Sequence, residues 1–202
     1  QALFTGDLLS TGYWAAKIGE IKKRDTVLVL GAGPAGMCAM MCAALYSPAR
    51  IVAADIDESR LAFARRHGLA DDFLNPANVS VPDALRERTQ GRGADVVIEA
   101  AGGKDSFQLA WQAARPNAVV VVAAMYEENQ ILPLPEMYGK NLIFKTGGVD
   151  ACSCREILEL TAQGRLKGEC LITHRAPLAD AMEMYRLFER KEDGVIKVAL
   201  TP

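Results

Sequence analysis

The segment Gly31-Ala32-Gly33-Pro34-Ala35-Gly36 has three glycines at the spacing a main chain needs to wrap a pyrophosphate. Gly31 permits a tight turn, Gly33 lets the backbone approach the phosphates closely, and Gly36 allows a helix to pack tightly on a strand. The free amides around Pro34 and Ala35, with the positive end of the helix they open, hold an anion. Pro34 costs nothing there, because an N–H in the first helical turn has no partner anyway. A glycine-rich bend alone fits any α/β protein. The discriminating partner is Asp55, 19 residues past Gly36 and at the end of the next apolar run. A carboxylate so placed accepts hydrogen bonds from ribose hydroxyls, and the two features together read as a dinucleotide site. A 2′-phosphate within ~4 Å of Asp55 meets about 4 kcal/mol of repulsion at an intermediate dielectric, so the expected cofactor is NAD rather than NADP. Arg60, one helical turn on, either softens that bias, stacks near adenine, or is a solvated charge on a helix surface.

The elements that must hold these residues follow from the apolar pattern. Thr26–Leu30, Ile51–Ala54, Asp95–Ile98, Val119–Ala123 and Leu142–Lys145 are short β-rich runs of the kind buried on both faces of a sheet. Between them lie helical patterns at Pro34–Tyr46, Glu58–His67, Pro82–Thr89, Ser106–Arg115 and Cys154–Ala162. A further helix is expected over Asp7–Ile21, with Ser10 or Thr11 as its N-cap. This alternation predicts a six-stranded doubly wound parallel sheet of the Rossmann kind, five of whose strands are the runs just named. Glu127–Pro135 is expected to be loose, since Pro133 and Pro135 exclude a central strand. The tail departs from the rhythm: a helix from Pro177 to Phe188, a turn at Asp193-Gly194, and a strand over Val195–Ala199 follow an already complete sheet.

Composition narrows the function. Of 202 residues half are apolar and 24% charged, which excludes a disordered chain. A net charge of −2 without a basic run leaves no footprint for nucleic acid. The longest apolar runs fall far short of the ~20 residues of a membrane span. Five cysteines, an odd number, suit reduced thiols and a cytoplasmic location. Because the chain begins at Gln1 rather than Met, it reads as a piece of a longer protein.

With these residues in hand, the chain resembles the zinc-dependent medium-chain alcohol dehydrogenases. The resemblance rests on Ser10-Thr11-Gly12-Tyr13, the Gly31–Gly36 turn, Ala53-Ala54-Asp55 and Asp95-Val-Val-Ile-Glu-Ala-Ala-Gly102. It continues through Thr146-Gly147-Gly148 and Leu171-Ile-Thr-His-Arg175 to Asp193-Gly-Val-Ile-Lys197. It implies hydride transfer between an alcohol or carbonyl substrate and NAD, with zinc in the intact enzyme and copies associated as dimers or tetramers. A catalytic domain preceding this chain would supply two zinc ligands and most of the substrate pocket. Residues 1–170 would then be the cofactor domain, and 171–202 a segment returning to the absent one. Asp7 would be the third zinc ligand; read by itself, it flanks or caps the first helix. Thr11 would lie against the nicotinamide, Ala101, Ala123 and Ala124 would end strands at the crevice, and Thr146 with Gly147 would border the carboxamide. At strand ends such alanines are equally ordinary core. Lys197 would contact the pyrophosphate as a point charge, without an arginine's fork. The alternatives are a zinc-free quinone or enoyl reductase of the same superfamily and a non-catalytic NAD-sensing module. Cys38 and Cys42 read as packing, Cys152 and Cys154 as too close for a zinc knuckle, and His67 and His174 as structural.

Overall fold

The computed structural model describes residues 2–149 and 151–202. Helix α1 (Leu8–Ile18) leads into β1 (Thr26–Leu30), α2 (Pro34–Ala44), β2 (Arg50–Ala54), α3 (Glu58–Arg66) and β3 (Asp72–Leu74). Then come α4 (Val81–Arg88), β4 (Ala94–Glu99), α5 (Ser106–Ala113), β5 (Ala114–Val122), α6 (Leu134–Met137), β6 (Ile143–Thr146) and α7 (Cys154–Ala162). The chain closes with β7 (Ile172–Pro177), α8 (Ala181–Arg190) and β8 (Lys197–Thr201).

Six strands form one parallel sheet in the order β3-β2-β1-β4-β5-β6. This is the doubly wound order, reversing between β1 and β4, where such sheets open a crevice. Side chains alternate across the sheet as its pleat requires. Val27 and Val29 face α1, α2 and α7, whereas Leu28 and Leu30 face α4 and α5. Each face is therefore covered by helices, which explains why these strands read as unbroken apolar runs.

Helices α1 and α2 cross at Gly12. A methyl group on Gly12 would stand 2.6 Å from the Cys38 carbonyl carbon, so only glycine permits that approach. On the far side, the Lys140 ammonium donates to the Trp111, Gln112 and Ala114 carbonyls at 2.8, 3.0 and 2.8 Å. It thereby satisfies acceptors left open where α5 ends.

Several expectations need correction. The α1 N-cap position is Asp7, not Ser10 or Thr11, which lie inside the helix; the Asp7 side chain makes no capping hydrogen bond. Ser10 is buried and donates instead to the Thr5 carbonyl. The sixth strand, β3, is three residues long and has only Leu74 buried, too little to leave an apolar run. Strand β5 begins at Ala114, and its pairing with β4 slips between Ala94 and Val96, around the positive φ of Asn117. In the tail, Ile172–Pro177 is a strand beyond those expected from the apolar pattern. It pairs in parallel with β8 as a separate two-stranded sheet. Helix α8 starts at Ala181, because Leu178–Asp180 forms a 3-10 turn.

Candidate functional site

The glycine turn joins β1 to α2. Gly31 has φ +93°, and its N–H donates to the Ala54 carbonyl at 2.8 Å, so the turn leaves the sheet in register with β2. A methyl group at Gly36 would sit 1.8 Å from the Gly31 carbonyl oxygen: the helix begins directly on the bend. Gly33 is different. Its backbone is extended, and a methyl group there would meet only the Arg60 guanidinium at 3.8 Å, which leaves an open approach to the main chain. Gly33 is the N-cap of α2 and Pro34 lies in the first turn, where its missing N–H costs nothing.

Asp55 caps the neighbouring strand and is almost fully buried, with 8% of its surface exposed. Its Oδ2 accepts the Ala32 N–H at 2.6 Å and its Oδ1 accepts the Asp57 N–H at 2.8 Å. The carboxylate thus fixes the glycine turn as well as facing the groove. Arg60 lies over both acids, 3.8 Å from Asp55 Oδ2 and 3.7 Å from Asp57 Oδ2, and is largely covered. It is therefore not a freely solvated surface charge.

Gly31, Gly33, Asp55, Arg60 and Ala101 line one groove of about 800 Å³, a size suited to a ligand larger than a single nucleoside. Lys104 and Ser106 line it from the start of α5, and Lys191 reaches it from the tail, where α8 ends on a left-handed residue. Sequence reasoning assigned no role to these three.

The remaining candidates lie outside that groove. Pro34, Ala35 and Gly36 form the first turn of α2. Ala123 and Ala124, half-buried beyond β5, both donate to the Glu99 carbonyl, at 2.8 and 3.0 Å. Thr146 and Gly147 are exposed at the end of β6, with Gly147 against the Trp14 ring, and Thr11 is half-buried on α1. The Lys197 ammonium stands 5.2 Å over the Phe188 ring. Burial pushes the Cys38 thiol up to about 12, and the Lys197 charge opposes that shift.

Asp7 is exposed. Among the described residues no three His, Cys, Asp or Glu side chains converge, whereas a catalytic zinc needs three protein ligands. The described side chains do not by themselves complete a zinc site.

A family model, zinc-binding dehydrogenase, matches residues 34–160, well over half of the chain. The chain belongs to the zinc-binding dehydrogenase family. An alcohol dehydrogenase of Cupriavidus necator is 33% identical across all of this chain and 56% of its own length. The solved structure of alcohol dehydrogenase TADH from Thermus sp. ATN1 superposes with a TM-score of 0.90 at 34% identity, covering 99% of this chain and 59% of that one. A protein described as a short chain alcohol dehydrogenase from Escherichia coli CFT073, solved with NADH, gives a TM-score of 0.90 at 25% identity over 98% of this chain and 58% of that one. The chain spans about half the length of the curated relatives it matches. Among the described residues no helix is long and apolar enough to cross a membrane.

Proposed function

We propose that this chain is the cofactor-binding portion of an NAD(H)-dependent alcohol dehydrogenase, moving hydride between a secondary alcohol, diol or polyol and NAD. The observation that carries the reading is the pairing of Asp55 with the glycine turn, on one groove, at the point where the strand order reverses. In this reading the Gly33 and Ala35 amides grip the diphosphate, and Asp55 accepts from the adenosine ribose. Arg60 closes the groove over both. Thr11, Ala123, Ala124, Thr146 and Gly147 border the nicotinamide half, and Lys197 offsets phosphate charge. When bound, the nicotinamide supplies the hydride chemistry; this chain's residues bind it, orient it and exclude water. The names of the matched relatives support the substrate class, and an NADH-bound neighbour supports the cofactor. Asp7 is assigned as one zinc ligand of the whole protein, to be completed by side chains beyond these residues.

Two further assignments belong to this reading. Residues 171–202 return to a catalytic domain, which explains an amphipathic α8 with Met182, Tyr185 and Phe188 exposed. Copies associate along β6, an edge strand, with Met125, Ile131, Leu134 and Tyr138 exposed on the segment between β5 and β6. Fluorescence titration of the chain with NADH and NADPH tests the central claim. Saturable NADH binding at least about tenfold tighter than NADPH is expected. Equal or tighter NADPH binding, or none of either, overturns it.

A further inference from the structure

Glu99 ends β4 and is completely buried, and among the described residues its Oε2 meets no partner at ordinary hydrogen-bond geometry. A buried carboxylate is costly to keep, so its remaining contacts must explain it. Its Oε1 accepts the Ala101 and Gly102 amides at 2.8 and 3.0 Å. Its main-chain oxygen accepts the Ala123 and Ala124 amides. One residue therefore holds four N–H groups, two from the loop after β4 and two from the loop after β5.

The two loops also touch each other. Gly102 has φ +63°, and a methyl group there would stand 2.7 Å from the Met125 carbonyl oxygen. Next along the chain, the Tyr126 hydroxyl and Ser106 Oγ are 2.9 Å apart, and Ser106 Oγ donates to the Gly103 carbonyl at 2.8 Å. Burial raises the Tyr126 hydroxyl above its ordinary pKa; the Ser106 hydroxyl opposes that shift and the Glu99 carboxylate adds to it. Ala101, Gly103 and Ser106 all line the groove that contains Asp55. The rim facing Asp55 is thus hung from the end of β4.

We propose that Glu99 is a positioning residue for the bound dinucleotide, fixing the Ala101–Gly102 rim and joining it to the Ala123–Ala124 loop before any ligand arrives. The proposal rests on the NAD reading above. A ligand that need not order its own rim binds more tightly, because the ordering entropy is already met.

The test uses wild type, Glu99→Asp and Glu99→Gln, each titrated with NADH at a temperature where circular dichroism shows it fully folded. Aspartate is one bond shorter and withdraws the carboxylate by about 1.5 Å, so both side-chain hydrogen bonds fail. About a tenfold loss of NADH affinity is expected. Glutamine keeps an oxygen in place for the two amides, and the expected affinity returns to within about threefold of wild type. A residue that serves folding alone would leave affinity unmoved in folded protein. Glu99→Asp binding NADH as tightly as wild type overturns the proposal, as does Glu99→Gln losing as much as Glu99→Asp. Should Glu99→Asp fail to fold, amide exchange on wild type decides: Ala101 and Gly102 are expected to be protected, and exchange at unstructured-loop rates overturns the proposal. Wild type that binds no NADH at all sinks the cofactor reading instead, a distinguishable result.

Discussion

Replacing Asp55 by Asn removes one negative charge while keeping the side chain's size, and it should act on selectivity, affinity and stability at once. A 2′-phosphate ~4 Å from the carboxylate feels about 4 kcal/mol of repulsion at an effective dielectric near 20. The Arg60 guanidinium, 3.8 Å from Oδ2, cancels part of that, so the wild-type preference for NADH should fall between about tenfold and a thousandfold. In Asp55→Asn only the Arg60 attraction remains. NADPH should bind at least about tenfold tighter than it does to wild type. NADH should weaken, because a hydrogen bond to a charged acceptor contributes about 1.5–3 kcal/mol, or roughly ten- to a hundredfold. There is also a local cost. The two carboxylate oxygens now accept the Ala32 and Asp57 amides, and an amide side chain has a single oxygen to offer them. One N–H is left facing an NH2, costing about 1–3 kcal/mol of stability. Both cofactors should therefore be titrated by fluorescence well below the unfolding midpoint of the variant. If Asp55→Asn leaves NADPH affinity unchanged, Asp55 does not read the ribose and the electrostatic argument fails.

Two further outcomes follow from packing and burial. Gly12→Ala should cost about 1–3 kcal/mol by forcing α1 from α2, lowering Tm by about 2–4 °C for each kcal/mol; an unchanged melting curve would contradict the 2.6 Å approach. Stability should also decline in alkali. Burial holds the Cys38 thiol up to about 12, against 9.0 ordinarily, and holds Cys42 well above it. Above pH 9 the unfolded chain loses these protons while the folded chain keeps them. The stabilisation is thus complete below about pH 9 and is lost as pH climbs towards 12. Urea midpoints under reducing conditions at pH 8 and 10 should show this fall, and a Cys38→Ala, Cys42→Ala variant should flatten it.

What the sequence disclosed depended on how strongly each feature is determined locally. Thr26–Leu30 and Gly31–Gly36 were legible because a doubly covered strand and a left-handed bend each tolerate few residue types. Strand β3 was not, since its place at the sheet edge leaves only one of its three residues buried. Ser10 looked like an N-cap, but its hydroxyl turns to the Thr5 carbonyl, a choice set by the turn preceding α1. Strand β7 was missed although a signal existed: Ile172, His174 and Ala176 alternate in burial with exposed Thr173, Arg175 and Pro177. Glu99 also left a trace, an acid closing the apolar run Val96–Ile98. What it holds depends on two loops more than 20 residues apart, which no local pattern reports.

The β7–β8 ladder has a wider consequence. Among the described residues each of its strands has one neighbour, so amides and carbonyls on both outer flanks remain unsatisfied by another strand. Such flanks recruit any extended polypeptide by its main chain, with little regard for side-chain identity. Whatever lies alongside can drift in sequence across evolution while keeping its seat, provided proline stays out of the bonding positions.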